Sequence, residues 1–413
     1  MTPRTLLDAC TALLRDVLRF DSPADAVVSA HFRNHRALGA RERHTLAETT
    51  YAVLRRRLLF QHLAQGGEGP PERRLAILGW AGDASFLKAA LSVDEQAWLA
   101  RAQGVDRAIL APKLRHNLPD WISQPLQAQL GDAGFWALVD SLDRPAPLDL
   151  RVNVLKARRD ATQAALAKAG IEAQPTPYSP WGLRVAGKPA LNQLELFRNG
   201  EVEVQDEGSQ LLALVTDPKR GEMVVDFCAG AGGKTLALGA AMKNTGRLYA
   251  FDISGHRLDA LKPRLARSGL SNVYPVQIAH ERDERIKRLA GKIDRVLVDA
   301  PCSGLGTLRR NPDLKWRQSP QAVEELQAKQ ALILASAARL LKPGGRLVYA
   351  TCSLLAGENE AIGEAFSSGH PGFEKLDAAA ILDGFGLPQP VDLVTAGNLR
   401  LWTHLHSTDG FLP

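Results

Sequence analysis

Five short apolar segments occur in the second half of the chain, and each is followed by residues with helical spacing. The segments are Met223–Phe227, Arg247–Phe251, Val273–Ile278, Ile293–Val298 and Arg346–Ala350. Strands that alternate with helices in this way predict a doubly wound α/β fold, in which a parallel sheet carries helices on both faces. Ligands bind beyond the carboxyl ends of the strands in such a sheet, so we expect the residues at these ends to converge on one pocket.

A glycine-rich segment, Asp226-Phe-Cys-Ala-Gly-Ala-Gly-Gly-Lys-Thr235, follows the first of these strands. Glycines let the backbone turn sharply, and the first turn of the next helix can offer its N–H groups to a ligand. The phosphate loop of NTPases requires glycine where this chain has Cys228, and the dinucleotide-binding pattern requires glycine where it has Thr235. The segment therefore predicts a ligand-binding loop of another kind.

Asp252 stands at the end of the second predicted strand, twenty residues after Gly232. A carboxylate at this place can accept hydrogen bonds from a ribose diol. S-adenosylmethionine carries that diol but no pyrophosphate, which suits a loop that lacks the dinucleotide pattern. The competing interpretation is that Asp252 only caps the following helix. The loop and Asp252 together favour a ligand.

Two cysteines, Cys302 and Cys352, stand at the ends of the fourth and fifth predicted strands. A single cysteine is more often a small buried apolar residue than a nucleophile, but two at adjacent strand ends indicate chemistry. A thiol with a pKa near 8.5 is only a few per cent thiolate at neutral pH, so a catalytic cysteine needs a positive charge nearby. The candidates for this charge are Arg309, Arg310, Lys315 and the sulfonium of the cofactor.

The first part of the chain has a different character. Apolar residues recur at helical spacing from Thr5 to about Leu142, and a proline-rich break follows at Asp143–Leu148. Strand-like alternation at 148–154, an alanine-rich helix at 161–169 and a strand at 181–185 then predict a small βαβ-like unit. The predicted domains are a helical domain at 1–143, a small α/β module at 144–200 and a catalytic domain at 201–413.

The charge of the chain favours a polyanionic partner, since the formal net charge is +6 and the sequence pI is about 9.2. The first sixty residues contain ten arginines and no lysine, including the consecutive Arg55, Arg56 and Arg57. These arginines form either a solvated helix face or a surface that contacts phosphates, and the sequence leaves both interpretations open.

The four cysteines include no C-x-x-C pair, which excludes a disulfide scaffold and disfavours a zinc site. We therefore expect no metal and a reducing cytoplasmic location. The N-terminus lacks the apolar core of a secretory signal, and apolar stretches are interrupted before about 18 residues, so we expect no membrane span. The oligomeric state is not readable from the sequence.

In combination and order, these motifs resemble those of the Sun/Nop family of RNA cytosine carbon-5 methyltransferases. The segments that carry the resemblance are 226–235, 252–258, 299–304, 309–316 and 351–353, with 151–156 and 204–210 upstream. Residues 36–57 are similar to the helical NusB-type domain of the bacterial RsmB branch. The resemblance implies a class I, Rossmann-like S-adenosylmethionine-dependent methyltransferase core, together with a helical NusB-like N-terminal domain and a small RRM-like α/β module that both bind RNA.

The resemblance also implies roles for individual residues. Cys352 is the nucleophile that adds to carbon 6 of cytosine, Cys302 helps the adduct break down, and Asp299 hydrogen-bonds ring nitrogen 3 beside the cofactor. The residues by themselves do not distinguish the two cysteines. The implied cofactor-binding residues are Cys228, Ala229, Gly230, Ala231, Gly232, Gly233, Lys234, Asp252, Arg257 and Asp299.

The chain departs from the family pattern in three places. Ala231 stands where many relatives have proline, which removes a rigid φ but keeps the turn. Val276–His280 lacks the aspartate that holds the adenine amino group, and we expect Glu281 or Asp283 to replace it. The chain ends at Pro413, where relatives continue into a last antiparallel strand, so we expect either a shortened sheet edge or a truncated chain.

The expected function is therefore methylation of carbon 5 of a cytosine in RNA. Ribosomal RNA is the favoured substrate because of the RsmB-like helical region, and transfer RNA is possible. Two other classes compete with this hypothesis. A non-catalytic RNA-binding ribosome assembly factor would not need both Cys302 and Cys352, and a nicotinamide-dependent oxidoreductase would have no use for paired cysteines.

Overall fold

A computed structural model describes residues 1–387 and 390–411 and divides the chain into two compact units. The helical unit comprises Met1–Pro145 together with Thr307–Pro320, and the sheet unit comprises Ala146–Gly306 and Gln321–Pro413. Residues 307–320, the inserted segment, thus pack with the N-terminal helices, although the sequence predicted them within one continuous catalytic domain. In the described part of the chain no helix is long and apolar enough to cross a membrane.

The helical unit is built from amphipathic helices. They are Pro3–Val17, Ala24–Asn34, Ala40–Arg55, Arg57–Leu63, Pro71–Leu78, Ala84–Lys88, Val93–Gln103, Pro112–His116, Asp120–Leu142 and, in the inserted segment, Leu314–Arg317. The first begins after Thr2, whose side chain accepts the Thr5 N–H, and proline occupies its first position. Its apolar residues recur every three or four positions and lie in the core, which is why this sequence forms a helix here.

The inserted segment is held by hydrogen bonds to the N-terminal helices. Trp316 Nε1 donates to the Leu54 carbonyl at 2.8 Å, and Lys315 Nζ donates to the Arg55 carbonyl at 2.8 Å. Both carbonyls lie in the last turn of helix Ala40–Arg55, where backbone acceptors lack a partner within the helix. The segment therefore completes the end of this helix.

The three consecutive arginines have partners inside the helical unit. Arg56 forms a bidentate ion pair with Asp143, and the guanidinium of Arg57 lies over the ring of Trp316 at 5.3 Å from its centroid. Arg55 Nη2 donates to the carbonyl of Arg309 at 2.9 Å. These side chains are half-buried and hold the unit together, so they do not form a purely solvated face.

The small α/β module is a four-stranded antiparallel sheet in the order β2-β3-β1-β4. Its strands are β1 Leu148–Val152, β2 Ala173–Pro175, β3 Gly182–Val185 and β4 Val202–Val204, with helices Arg159–Lys168 and Glu195–Arg198. Because β3 pairs antiparallel with both β1 and β2, these two strands run parallel with β3 between them. The βαβ-like unit that the sequence predicts is therefore a split one.

The main sheet has five parallel strands in the order β7-β6-β5-β8-β9. They are β5 Met223–Asp226, β6 Arg247–Asp252, β7 Val273–Gln277, β8 Ile293–Asp299 and β9 Leu341–Ala350. The helices of the region are Glu207–Thr216, Gly233–Ala241, Gly255–Ser268, Glu284–Lys287, Pro320–Ala338, Glu360–Gly369, Ala378–Asp383 and Thr403–His406. The predicted strands and the doubly wound architecture are confirmed, except that β9 begins earlier than predicted.

Neighbouring residues of the central strands are buried on opposite faces of the sheet. Val224 and Leu297 pack with helix Glu207–Thr216, whereas Val225 and Val296 pack with helix Pro320–Ala338. Because helices cover both faces of the sheet, successive residues of each central strand must be apolar, which explains the continuous apolar segments in the sequence.

The C-terminal region forms a short hairpin of β10 Val394–Thr395 and β11 Asn398–Leu399, and Leu401 pairs with Phe411 in an isolated bridge. Among the described residues, no antiparallel strand extends the main sheet beyond β9. Leu412 and Pro413, which belong to the same prediction, lie outside the described residues.

Candidate active site

The residues that the sequence placed at strand ends meet at the carboxyl edge of the main sheet. The Gly230 N–H donates to Asp252 Oδ2 at 2.8 Å, which joins the ends of β5 and β6. Lys234 Nζ lies 2.7 Å from Asp299 Oδ2 and joins the glycine-rich loop to the end of β8. The predicted convergence on one site is therefore confirmed.

The glycine-rich loop needs glycine for two reasons. Gly230 and Gly232 have φ angles of 55° and 83°, in the left-handed region that side chains disfavour. A Cβ on Gly232 would also lie 2.1 Å from Leu261 Cδ1, so the loop could not pack against helix Gly255–Ser268. The loop ends where helix Gly233–Ala241 begins, and the first N–H groups of a helix have no carbonyl partner within it.

The N-cap of helix Gly255–Ser268 is Ser254, and Asp252 instead binds two backbone N–H groups before that helix. Its Oδ2 accepts the Gly230 N–H and its Oδ1 accepts the Ser254 N–H at 2.7 Å, so the carboxylate organises both the glycine-rich loop and the turn before the next helix. Each oxygen has a second lone pair for a ligand hydroxyl. The side chain is 5% exposed, which makes any hydrogen bond to a ligand here a buried one.

Asp226 is a site residue that sequence reasoning did not single out. Its Oδ2 accepts a hydrogen bond from Thr235 Oγ1 at 2.7 Å, but its Oδ1 is buried without a partner among the described residues. Burial raises the pKa of Asp226 to about 7. An N–H or ammonium donor on a bound ligand would supply the missing hydrogen bond, so the residues present fit a cofactor that carries an amino group.

Lys234 forms an ion pair with Asp299, and the two side chains are 11% and 26% exposed. Burial by itself would lower the pKa of Lys234, but the charge and hydrogen bond of Asp299, with the negative charge of Cys352, raise it. The ammonium therefore stays charged and is coupled electrostatically to Cys352. The Oδ1 atom of Asp299 accepts no hydrogen bond from the described residues.

Lys234 is a cation beside the thiols that the sequence did not name as their source of positive charge. The candidates named from the sequence were Arg309, Arg310, Lys315 and the sulfonium of the cofactor. Arg309, Arg310 and Lys315 belong to the helical unit, where Lys315 donates to the Arg55 carbonyl. The cation coupled to Cys352 is Lys234, which the sequence assigned only to cofactor binding.

The sulfur atoms of Cys302 and Cys352 lie 3.3 Å apart. The hydrogen bond to Cys352, burial, and the negative charges of Cys352 and Glu358 together hold the pKa of Cys302 well above its usual value. Cys302 thus keeps its proton whenever Cys352 is a thiolate. The two thiols are chemically unequal, although both stand at strand ends.

Glu358 is a second residue that sequence reasoning missed. Its side chain is fully buried, and it accepts four hydrogen bonds. The Ser303 N–H and Gln330 Nε2 bind its Oε1 at 2.8 and 3.1 Å, and the hydroxyls of Ser303 and Ser353 both bind its Oε2 at 2.5 Å. Because Ser303 and Ser353 directly follow the two cysteines, Glu358 clamps both cysteine loops.

The loop of Cys352 has two further supports. Asn359 Nδ2 donates to the carbonyls of Ser353 and Leu355 at 3.1 and 2.9 Å, and the Gly306 N–H donates to the Cys352 carbonyl at 2.8 Å. The acidic segment Glu358-Asn-Glu360 after β9 was the sequence signal that could have identified Glu358. A carboxylate so close to the end of a buried strand needs buried hydrogen-bond partners.

Other predicted site residues are placed less tightly. Arg257 is exposed, and its side chain contacts none of the described residues through a hydrogen bond or ion pair. Burial raises the pKa of Cys228 well above its usual value, which leaves this thiol unreactive in the loop.

Asp283 and Glu281, which the sequence suggested for the adenine contact, both have partners within the chain. Asp283 caps helix Glu284–Lys287 and also accepts the Ala279 N–H, while the carboxylate of Glu281 pairs with Arg282. Within the described residues, no group of three or more His, Cys, Asp or Glu could hold a metal ion.

Two family models match the chain. The model described as 16S rRNA methyltransferase RsmB/F matches residues 213–412, which contain the main sheet and the whole site. The model described as the ferredoxin-like domain of RsmF/B-like methyltransferases matches residues 118–192, which contain β1 to β3.

The chain is similar over nearly its whole length to a probable ribosomal RNA small subunit methyltransferase B of Synechocystis, with 32% identity over 97% of this chain and 96% of the relative. A probable enzyme of the same name from Bacillus subtilis is 33% identical over 81% of this chain and 74% of the relative. The crystal structure of PH0851 matches with a TM-score of 0.82 and 27% identity, covering 100% of this chain and 98% of that one. The chain therefore belongs to the RsmB family of S-adenosylmethionine-dependent RNA methyltransferases.

Proposed function

We propose that the protein methylates carbon 5 of a cytosine in small-subunit ribosomal RNA through a covalent adduct with Cys352. The observation that carries this proposal is the 3.3 Å separation of two chemically unequal thiols in the site. Carbon 5 of cytosine is too weak a nucleophile to take a methyl group unaided, and a thiolate bonded to carbon 6 makes it strong enough. One thiol for attack and another for release match that requirement.

S-adenosylmethionine would be held by the glycine-rich loop and the two aspartates beside it. The lone pairs of Asp252 are available for the ribose hydroxyls, and the unpartnered Oδ1 of Asp226 suits the amino group. When bound, the cofactor supplies the methyl group to carbon 5. Arg257 and the backbone of Cys228 to Gly233 are the remaining proposed contacts.

Cys352 makes the first bond. The ammonium of Lys234 is coupled electrostatically to Cys352, and Cys302 retains its own proton beside it, so Cys352 is the proposed nucleophile of the pair. Its sulfur bonds to carbon 6, and the displaced electron pair makes carbon 5 nucleophilic. Asp299 is the proposed hydrogen-bond partner of ring nitrogen 3, because its unpartnered Oδ1 would accept the N–H of that nitrogen once the nitrogen carries the proton that balances the attack.

Cys302 acts in the release. Once Cys352 is bonded to carbon 6 it is a neutral thioether, and the main cause of the raised pKa of Cys302 is gone. Cys302 can then give its proton to solvent and take the proton from the methylated carbon 5. The electron pair of that C–H bond restores the ring double bond, and the bond between carbon 6 and the Cys352 sulfur breaks.

Ribosomal RNA is the proposed substrate because both curated relatives described above are named for it. The formal charge of +6 agrees with a polyanionic partner. We assign RNA contacts to the helical domain at 1–143 and the α/β module at 144–200, and the catalytic steps to 201–413. The proposed location is the cytoplasm.

The function is tested by bisulfite sequencing of total RNA from cells with and without this protein. One protected cytosine in small-subunit ribosomal RNA that depends on the protein is the expected result. Protection confined to a transfer RNA would correct the substrate, and the absence of any dependent cytosine would support the assembly-factor alternative.

The cysteine roles are tested with the purified protein, RNA and S-adenosylmethionine on a denaturing gel. Cys302→Ala should accumulate a covalent protein–RNA band that requires the cofactor, because the methylated adduct lacks its base. Cys352→Ala should form neither band nor product. A band from Cys352→Ala and none from Cys302→Ala would reverse the roles, and full activity of both variants would refute the covalent mechanism.

A further inference from the structure

The helical unit contains a cavity of about 280 Å³ whose charge no step of the methyl transfer uses. Five cationic side chains and two carboxylates line it, namely Arg55, Arg56, Arg107, Arg115, Lys315, Asp140 and Asp143. The bidentate pair of Arg56 with Asp143 neutralises one charge of each sign. Four cations then face the single carboxylate of Asp140, so the cavity has an excess of positive charge.

Lys315 is the most enclosed of these cations, with 7% of its surface exposed. Its Nζ donates one hydrogen bond, to the Arg55 carbonyl, and no carboxylate of the described residues lies within ion-pair distance. An ammonium has three N–H donors. Burial lowers the pKa of Lys315 to about 7, which reflects the cost of a buried charge without a counter-charge. An anion in the cavity would bind the unused donors and offset that cost.

Arg55, which also lines the cavity, supports the same conclusion. One of its guanidinium nitrogens donates to the Arg309 carbonyl, but its Nε is buried without a partner among the described residues. No carboxylate of those residues forms an ion pair with it either. Two neighbouring cations therefore carry unused buried donors, which is the arrangement that a phosphate group satisfies.

Arg115 and Trp136 add a flat aromatic surface to the cavity. The guanidinium of Arg115 lies over the Trp136 ring, 4.5 Å from its centroid, and the side chain is exposed. Nucleobases stack on aromatic rings and on guanidinium planes. The volume lies near the lower end of the ~300–1,000 Å³ range of small-ligand pockets, which suits one nucleotide.

We propose that this cavity binds one nucleotide of the RNA substrate, with its phosphate at Lys315 and Arg55 and its base beside Arg115 and Trp136. The identification of the ligand as RNA rests on the proposed function. A free mononucleotide carries the same chemistry, so the test includes both.

The test measures binding by calorimetry, with no methyl transfer required, so that it is independent of catalysis. The probes are a single-stranded 20-nucleotide RNA and adenosine monophosphate, each at several salt concentrations. The variants are Lys315→Met and, as a matched loss of one charge outside the cavity, Lys88→Met on an exposed position of the same unit. Thermal melting checks that Lys315→Met is folded, since the substitution removes a buried charge but also leaves the Arg55 carbonyl without its donor.

We expect Lys315→Met to weaken RNA binding about tenfold and to lower the salt slope by about 0.7, whereas Lys88→Met leaves both nearly unchanged. Unchanged RNA affinity in a folded Lys315→Met variant would overturn the proposal. Loss of only the mononucleotide affinity would overturn the assignment to RNA. If Lys315→Met does not fold, Arg115→Ala at the exposed mouth gives the same comparison, with a severalfold loss of RNA affinity expected and no loss refuting the site.

Discussion

Glu358 should control the alignment and the acidity of the cysteine pair without touching the substrate. In Glu358→Gln the amide oxygen can still accept the Ser303 N–H, and its NH₂ group can donate to the serine hydroxyls. In Glu358→Ala the buried Ser303 N–H loses this acceptor. Gln330 still donates a hydrogen bond to the Pro301 carbonyl, and the hydroxyls of Ser303 and Ser353 still form a hydrogen bond with each other.

The hydrogen bonds that each variant keeps or loses determine its expected free energy of unfolding. Loss of one buried acceptor and of the carboxylate volume should lower the free energy of unfolding of Glu358→Ala by about 3 kcal/mol. Glu358→Gln should cost less than about 1.5 kcal/mol, because it only replaces charge-assisted hydrogen bonds by neutral ones. Urea unfolding of both variants measures this ranking.

The catalytic effect should be larger than the effect on stability. A shift of about 1 Å between reacting groups can cost about a hundredfold in rate, so kcat of Glu358→Gln should fall by about ten- to a hundredfold with little change in S-adenosylmethionine affinity. The charge of Glu358 also raises the pKa of Cys302, so its removal should shift alkylation of Cys302 to lower pH. Mass spectrometry of iodoacetamide-treated protein measures that profile. A folded Glu358→Gln variant with wild-type kcat and an unshifted pH profile of Cys302 alkylation would refute the proposal that Glu358 positions the two cysteine loops.

Three further predictions concern other residues. Asp252→Ala should weaken S-adenosylmethionine by about 1–3 kcal/mol in calorimetry, and unchanged affinity would remove Asp252 from the cofactor site. Because burial raises the folded-state pKa of Asp226 from 3.8 to about 7, its contribution to stability is full below pH 4 and is lost as the pH rises through 7. Asp226→Asn should flatten that part of the stability profile in urea unfolding, and an unaltered profile would contradict the burial argument. Trp316→Phe should lower the free energy of unfolding by about 1–3 kcal/mol by leaving the Leu54 carbonyl without its donor, and wild-type stability would show that the inserted segment is not held there.

Much of the fold and the site was predictable because both depend on short-range patterns. Each apolar segment of the main sheet predicts the strand that it forms. Parallel pairing then brings the carboxyl ends of these strands to one edge of the sheet, independently of the loop conformations. Asp252, Asp299 and the glycine-rich loop could therefore be assigned from position in the chain. The boundaries of β9 differ because Lys342-Pro-Gly-Gly interrupts the apolar pattern while the strand continues through it.

The failures have a common physical origin in contacts between residues distant in sequence. The inserted segment carries Arg309, Arg310 and Lys315, which the sequence analysis named among the candidates for a positive charge near the thiols. Trp316 and Lys315 instead satisfy the end of helix Ala40–Arg55, some 260 residues away. No local pattern reports such a pairing, and the same holds for the ion pair of Arg56 with Asp143.

The two cysteines illustrate most directly what the sequence leaves open and the structure supplies. Both follow strand ends, both precede a serine, and both serines bind Glu358, so local sequence treats them as equivalent. Charge breaks that equivalence. The ammonium of Lys234 is coupled to Cys352, whereas the surroundings of Cys302 oppose its ionisation. Since a bond from Cys352 to carbon 6 removes the charge that keeps Cys302 protonated, the attack itself would prepare the base for the release, and the order of the two steps follows from the electrostatics of the pair.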